Sequence, residues 1–380
     1  MYRRASYTRL QSKLLKQAAR PDKQHMVLFM LVFIPACFAG YWLAWDPLLV
    51  FILSGLAIIP LASIIASATE VIADKVGSTL GGLLNATFGN ATEMIIALVA
   101  LSSGLVDLVK ASISGTIVAN LLLAMGLAIF AGGLRFSEQH FNQRVARINA
   151  SSLNLALVVM LTPTAIRTTS STTEPGWLDG FSLVASILLL TYYLLTLLFS
   201  IKTHRTLYET GAISEHTQQR ATTGQGESYV LVRPIVSLMI ASIILALVSE
   251  VLVHSLEETI HELHLTQLFT GVILIPLFGG MVEYLTAIRF ARSNKIDLAI
   301  AVATGSSQQI AMFVAPLLVI IGRLWGQPMN LEFHPFELVA IAVAVLITNS
   351  ISNDGRSNWL EGVLLLMVYA VVGTAFYFHP

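Results

Sequence analysis

Eleven long apolar stretches, separated by short charged or turn-rich breaks, constrain this chain more than any other feature. They fall near 26–45, 47–70, 78–101, 107–132, 147–166, 177–203, 230–253, 266–292, 297–325, 334–349 and 358–378. A helix crossing the hydrocarbon core of a bilayer needs about 20 mostly apolar residues; only 334–349 falls short, and it reads as a tilted or partial span. Runs such as Leu155–Leu161 and Val363–Val372 stay apolar at consecutive positions, so the two-residue alternation of a barrel strand is absent and helices are expected. Composition agrees. Charged residues make up 12% of the chain, about half the share in a soluble domain. That excludes a disordered chain, a nucleic-acid binder and an ordinary soluble enzyme. The expected fold class is an all-α membrane protein of about eleven transmembrane helices.

The net charge is zero, yet its placement is informative. Lys and Arg gather on the cytoplasmic side of short loops. Residues 1–25 form a basic leader with Arg3, Arg4, Arg9, Lys13, Lys16, Arg20 and Lys23, which puts the N-terminus in the cytoplasm. With eleven crossings, 19 of the 22 basic residues fall on that side, and only Lys110, Arg167 and Arg323 fall outside. The C-terminus is then outside. The apolar stretch at 26–45 is too long for a signal-peptide core and lacks a convincing cleavage site, so it reads as a retained helix. Cys37 is the only cysteine, so no intrachain disulfide can form.

The widest polar break, 204–229, reads as a cytoplasmic linker between two halves of five spans each, 47–203 and 230–378, with 26–45 as an extra helix. The halves resemble one another. At a constant offset of 190, Gly89–Gly115 aligns with Gly279–Gly305 without a gap and with eight identities, among them Gly89/Gly279, Glu93/Glu283, Asp107/Asp297 and Gly115/Gly305. A weaker match sets Glu70-Val71 over Glu250-Val251. A unit of five crossings enters its second copy from the opposite face. This predicts two inverted five-helix repeats, the plan of many secondary transporters, whose sites lie near the midplane where the halves meet.

Glu93 and Glu283 stand out from the other acids because each lies deep in an apolar stretch. A carboxylate at helix centre costs about 2.5–3.5 kcal/mol on insertion scales, so two at equivalent repeat positions point to function rather than packing. Each follows residues that loosen a helix: Gly89 and Asn90 before the first, Gly279 and Gly280 before the second. The glycines also suit close helix packing. Glu70 and Glu250, nearer span ends, suit an interfacial or an ion-route role equally. Asn120 and the polar run Gly305-Ser306-Ser307-Gln308-Gln309 offer further oxygens, or plain interhelical hydrogen bonds. Two carboxylates among amide and carbonyl oxygens suit a hard cation such as Ca2+. No cysteine ligand and no suitably spaced histidine pair favours zinc or copper. Burial favours the protonated carboxyl and a bound cation the ionised one. Protons and metal therefore compete for the same groups, and with alternating access that competition makes an antiporter.

Gly81–Leu101 (GGLLNATFGNATEMIIALVAL) and Asn294–Val319 (NKIDLAIAVATGSSQQIAMFVAPLLV) resemble the paired c-1 and c-2 signature regions of the calcium/cation–proton exchanger (CAX) family. The resemblance covers nearly the whole chain. It implies that Glu93 and Glu283 bind cation and proton, that Asn90, Ser306 and Gln309 contribute to the shell of a hydrated cation, and that Glu70 and Glu250 lie on the ion or proton route. Two departures concern the second Glu: Gly280 precedes it where many members have Asn, and Tyr284 follows it where many have His. Ala119 also precedes Asn120 where Ser is common. The expected activity is Ca2+/H+ antiport, exporting cytosolic Ca2+; exchange of Na+, K+ or Mn2+ for protons, or Na+/Ca2+ exchange, fits the same plan. An intramembrane enzyme would need a nucleophile–base pair, and the histidines lie mostly in loops or at span ends. A channel is disfavoured by the titratable centre of inverted halves. No cofactor, nucleotide or nucleic acid is expected; the partners are Ca2+, protons and the lipid bilayer, with a homo-oligomer left open. The short basic leader fits a prokaryotic inner-membrane protein.

Overall fold

The computed structural model describes residues 29–76, 78–169, 176–204 and 229–379. The leader 1–25 and nearly all of the linker 204–229 lie outside these residues. Among those described, each of the eleven apolar stretches carries helix. In chain order the first half runs α1 (Phe33–Trp42), α2 (Pro47–Val76), α3 (Ser78–Phe88), α4 (Ala91–Ser102), α5 (Val106–Gly133), α6 (Gln143–Thr169) and α7 (Trp177–Thr203). The second half runs α8 (Tyr229–Leu263), α9 (Gln267–Gly279), α10 (Met281–Arg292), α11 (Ile296–Leu324), α12 (Pro335–Ile351) and α13 (Trp359–Phe378). Seven of these helices are long and apolar enough to cross a bilayer, and α9 with α10 makes an eighth candidate, bent by 58° at its break. The chain is a multi-pass membrane protein. Its outer faces bear Ile187, Leu188, Leu194 and Leu195 on α7 and Leu360, Met367 and Val371 on α13, all exposed, a surface that hydrocarbon rather than water stabilises.

The structure corrects several expected boundaries. The stretch 78–101 is two helices rather than one. Gly89 donates its N–H to the Asn85 carbonyl at 2.8 Å and ends α3, and Asn90, at φ −115° and ψ 35°, leaves helical geometry before α4 begins. The stretch 266–292 breaks likewise at Gly280. The seventh stretch does not stop at 253: α8 continues to Leu263, so Glu257, Glu258 and Glu262 belong to helix rather than to a loop. Similarly, α2 carries Glu70 and Lys75 within its last two turns.

Enclosure sets the centre of the molecule. In α5, 83% of the most apolar window is buried, against 22% for α7 and for α13; α5 is the central helix. Two π-helical segments interrupt the paired long helices at matching points, Ala119–Ala124 in α5 and Ile310–Val314 in α11. Such wide turns rotate the side chains beyond them and concentrate at functional sites. A third, Thr270–Leu274, opens α9. Close approach at this centre requires glycine: a Cβ on Gly115 of α5 would lie 2.3 Å from the Val272 carbonyl oxygen.

Loop contacts gather at two ends. At one end β1 (Gln139–His140) pairs antiparallel with β2 (Arg356–Ser357). There the Gln139 amide also donates to the Ala291 carbonyl at 2.9 Å and to Asn294 Oδ1 at 3.0 Å, and the Asn142 N–H donates to Asp297. At the other end Lys110 Nζ donates to Asn330 Oδ1 at 2.6 Å and Arg167 pairs with Glu332 at 2.7 Å.

Candidate functional site

The two helix breaks meet. Gly279, the last residue of α9, has the Glu93 side chain and Ile96 as its nearest neighbours: a Cβ there would stand 3.8 Å from each. Glu93 opens the first turn of α4 and Glu283 the first turn of α10. The breaks therefore place both carboxyls just inside helix N-termini, where unpaired backbone N–H groups favour negative charge. Glu93 is buried and Glu283 half-buried, and they lie within electrostatic reach of each other. Both oxygens of Glu93 and Oε2 of Glu283 are enclosed without a hydrogen-bond partner among the described residues. Buried carboxylate oxygens normally find partners. Three residues before Glu93, Asn90 begins a ring of neutral polar groups.

That ring joins residues far apart in sequence. Asn90 donates through Nδ2 to Gln309 Oε1. Ser306 donates to Asn90 Oδ1 at 2.7 Å, and Asn120 donates through Nδ2 to the Ser306 hydroxyl at 2.9 Å. Gly89 packs beside Gln309, whose Oε1 lies 3.1 Å from the position of a Cβ. The helix break at Gly89–Asn90 and the start of the two π-helical segments thus supply one network, and Asn120 keeps a buried Oδ1 without a partner. Among the described residues no three His, Cys, Asp or Glu side chains gather as a metal site. What can face a cation is two carboxylates with amide and hydroxyl oxygens.

Of the residues singled out in the sequence, Asn90, Glu93, Asn120, Ser306, Gln309, Gly89, Gly279, Gly280 and Glu283 lie at the meeting of the two breaks. Glu70 and Glu250 do not share that burial; both are exposed, on α2 and α8. The two departures near Glu283 are coupled. Tyr284, only 2% exposed, donates its hydroxyl to the Pro276 carbonyl at 2.8 Å, and its ring lies 2.6 Å from where a Gly280 Cβ would stand. The tyrosine fills the space that a side chain at 280 would need and braces the break. Beyond the residues singled out, Asn149 escapes sequence reading: its carbonyl accepts from the Gln308 amide at 2.7 Å and its side chain reaches Thr304 at 3.2 Å. These contacts extend the polar lining of α11 toward α6.

Comparison with known proteins agrees with this architecture. The family model described as sodium/calcium exchanger protein matches residues 47–202 and 233–378. The chain is 52% identical over 365 residues to a Ca2+/H+ antiporter of Aphanothece halophytica, covering 94% of this chain and 98% of that protein. It is 50% identical over 366 residues to a Ca2+/H+ antiporter of Synechocystis sp., with the same coverage. Among solved structures, native YfkE superposes with a TM-score of 0.78 at 34% identity, over 93% of this chain and 100% of that one. The H+/Ca2+ exchanger CAX shares the fold, with a TM-score of 0.70 at 15% identity over 93% and 92% of the two chains. The chain belongs to the sodium/calcium exchanger family and, within it, to the Ca2+/H+ antiporters.

Proposed function

We propose that the protein is a secondary active Ca2+/H+ antiporter that exports cytosolic Ca2+ in exchange for protons, with Glu93 and Glu283 as the alternating cation and proton ligands. The carrying observation is the pair of enclosed carboxyls, three of whose four oxygens lack a partner among the described residues, beside the Asn90–Ser306–Gln309 network. Ca2+ takes six to eight oxygens in a flexible cage; two carboxylates supply charge, and the amides, the hydroxyl and retained water supply the rest. Two protons neutralise the same pair. Glu70 and Glu250, exposed on the long helices flanking the breaks, form the ion route.

The same reading includes eleven crossings arranged as two inverted five-helix repeats, a cytoplasmic N-terminus, an external C-terminus and residence in a prokaryotic inner membrane. The broken helices and the π-helical segments recur at corresponding places in the two halves, which supports the repeat. Loop contacts support the crossing count. β1 with β2, and Asn142 with Asp297, join loops that eleven crossings assign to the cytoplasm. Lys110 with Asn330, and Arg167 with Glu332, join loops assigned to the outside. Removing any one of the fifth to ninth crossings would set several of these pairs on opposite faces.

The test is Ca2+ flux in proteoliposomes under an imposed pH gradient. Wild type moves Ca2+ against the proton flow, and Glu93→Gln and Glu283→Gln each abolish coupled transport. Full proton-coupled flux in either variant overturns the paired-carboxyl site. Repeating the assay with Na+, K+ and Mn2+ fixes the substrate.

A further inference from the structure

Glu337 is a buried carboxyl that the paired site does not use. It lies in the first turn of α12 and is 2% exposed. Its Oε2 accepts the His334 N–H at 2.8 Å, and His334 Nδ1 accepts the Phe336 N–H at 3.3 Å, completing a capping box. Capping accounts for one oxygen only. The other, Oε1, lies 2.8 Å from the Ser114 hydroxyl on α5, and that hydroxyl also lies 3.0 Å from the Ala111 carbonyl. A hydroxyl carries one proton, so two arrangements satisfy every group. Ser114 donates to an ionised Glu337, or it donates to Ala111 while a protonated Glu337 donates to it. Exchange between them takes one hydroxyl rotation and no movement of heavy atoms.

The surroundings support both forms. Lys110 and Asp107 both lie within electrostatic reach of Glu337, the first attracting its charged form and the second repelling it. Lys110 is itself faced by Asp107, Glu332, Glu337 and Asp179. On the neighbouring elements Arg167 of α6 is paired with Glu332, and His334 meets the His379 ring at 5.1 Å. The place in the fold is equally specific. Ser114 precedes Asn120 by six residues on α5, about 9 Å along the axis, and Asn120 donates to Ser306 in the site network. One rigid helix carries both the Glu337 contact and a member of the proposed cation shell.

We infer that Glu337 is a further proton-binding carboxyl, on the outer approach to Glu93 and Glu283, which takes a proton from the external side and holds it for the paired site. The inference rests on the proton-antiport reading and on the orientation proposed with it. The test uses Glu337→Gln, which keeps an oxygen for the His334 N–H and an amide to donate to Ser114 but holds no proton. In proteoliposomes, proton-driven Ca2+ transport is followed against the pH of the face bearing Lys110. Glu337→Gln is expected to need a several-fold higher proton concentration on that face for half-maximal rate, with the Ca2+ KM on the opposite face unchanged. His334 is present in both proteins, so its titration cancels in the comparison. A pH profile superimposable on that of wild type overturns the inference. Should Glu337→Gln fail to elute as a folded protein, Ser114→Ala, which keeps carboxyl and cap but removes the donor to the ionised form, is expected to move the half-maximal proton concentration the opposite way, to lower values, and an unmoved profile again overturns it. Absence of proton-coupled transport in wild type itself would instead refute the antiport reading.

Discussion

Gly115 and Gly305 align at the 190-residue offset in the sequence, yet the structure gives them opposite tolerances. A Cβ on Gly115 would sit 2.3 Å from the Val272 carbonyl oxygen and 2.5 Å from Val272 Cα. That is about 1 Å closer than ordinary van der Waals contact, and the obstructing atoms are backbone, which cannot rotate away. Gly115→Ala must therefore push α5 away from the π-helical opening of α9, the segment that leads to Glu283. Forced overpacking of this kind costs about 1–3 kcal/mol. At Gly305, within α11, nothing lies within 4 Å of a Cβ, and replacing a mid-helix glycine by alanine favours the helix by about 1 kcal/mol. The opposed signs make a clean comparison. Thermal unfolding of the two variants in one detergent, followed by the loss of a monodisperse elution peak, should show Gly115→Ala below wild type and Gly305→Ala at or above it. Gly115→Ala should also lose transport, because the displaced segment positions one of the two carboxyls. Equal destabilisation of the two variants, or a Gly115→Ala protein as stable as wild type, would refute the packing argument.

Other outcomes follow from single contacts. Ser306→Ala removes the hydroxyl between Asn90 and Asn120; depriving Asn90 Oδ1 and Asn120 Nδ2 of that partner costs roughly 1–3 kcal/mol, so the KM for Ca2+ should rise severalfold while coupling to protons persists, as flux assays over a Ca2+ series would show. Gly280→Asn alone drives a side chain into the Tyr284 ring and should lower the unfolding temperature. Combined with Tyr284→His it should recover much of that loss, and a double-mutant cycle with no interaction term would contradict the coupling. His334 caps α12 through its neutral Nδ1, and partial burial, together with His379, holds its imidazole below the ordinary value of 6.5. The fold thus favours the neutral ring. Its contribution to stability is fully present above the unfolded value and is lost as pH falls through the lower folded value. His334→Asn, which caps at any pH, should flatten that acid-side fall in unfolding temperature; an unchanged fall would exclude His334 as its source.

Much of this was legible in the sequence because a bilayer imposes a coarse and demanding pattern. Length and apolarity marked every stretch that carries helix, from Phe33 to Phe378, and a charged group far from any stretch end marked Glu93 and Glu283. Asn90, Asn120, Ser306 and Gln309 could each be noticed, since amides are conspicuous among Leu and Val. Their meeting could not, because it depends on how α4, α5 and α11 pack against one another. Breaks at Gly89 and Gly280 were suggested by glycine, but glycine serves close packing equally well, as Gly115 does here. Glu337 was hidden for a different reason. It lies beside a stretch end, where an acid is ordinarily solvated, and only the packing of α12 against α5 encloses it. Tyr284 and Gly280 looked like two independent departures until the ring was seen to occupy the space left by the missing side chain.

The charge arrangement of the proposed site gives a reason for obligatory exchange. Among the described residues no ion pair reaches Glu93 or Glu283, and their neighbours in the network are amides and a hydroxyl, which carry no compensating charge. Two ionised carboxylates held there without a ligand would face a desolvation cost of several kcal/mol each, with mutual repulsion added. One divalent cation removes both charges, and so do two protons. A single monovalent cation removes one and leaves the other uncompensated unless a proton joins it. If reorientation passes through states in which the site is closed off from water, the loaded forms cross readily and the empty, doubly charged form is disfavoured. Exchange then follows from the charge of the carrier, without a separate gate to enforce it, and the preference for a divalent ion follows from the same count. The corresponding double variant, Glu93→Gln with Glu283→Gln, has no charge to neutralise. Its site should reorient without any ion while moving none, so that accessibility labelling from the two faces no longer responds to Ca2+ or to pH. Labelling that still followed either ion would place the coupling elsewhere in the protein.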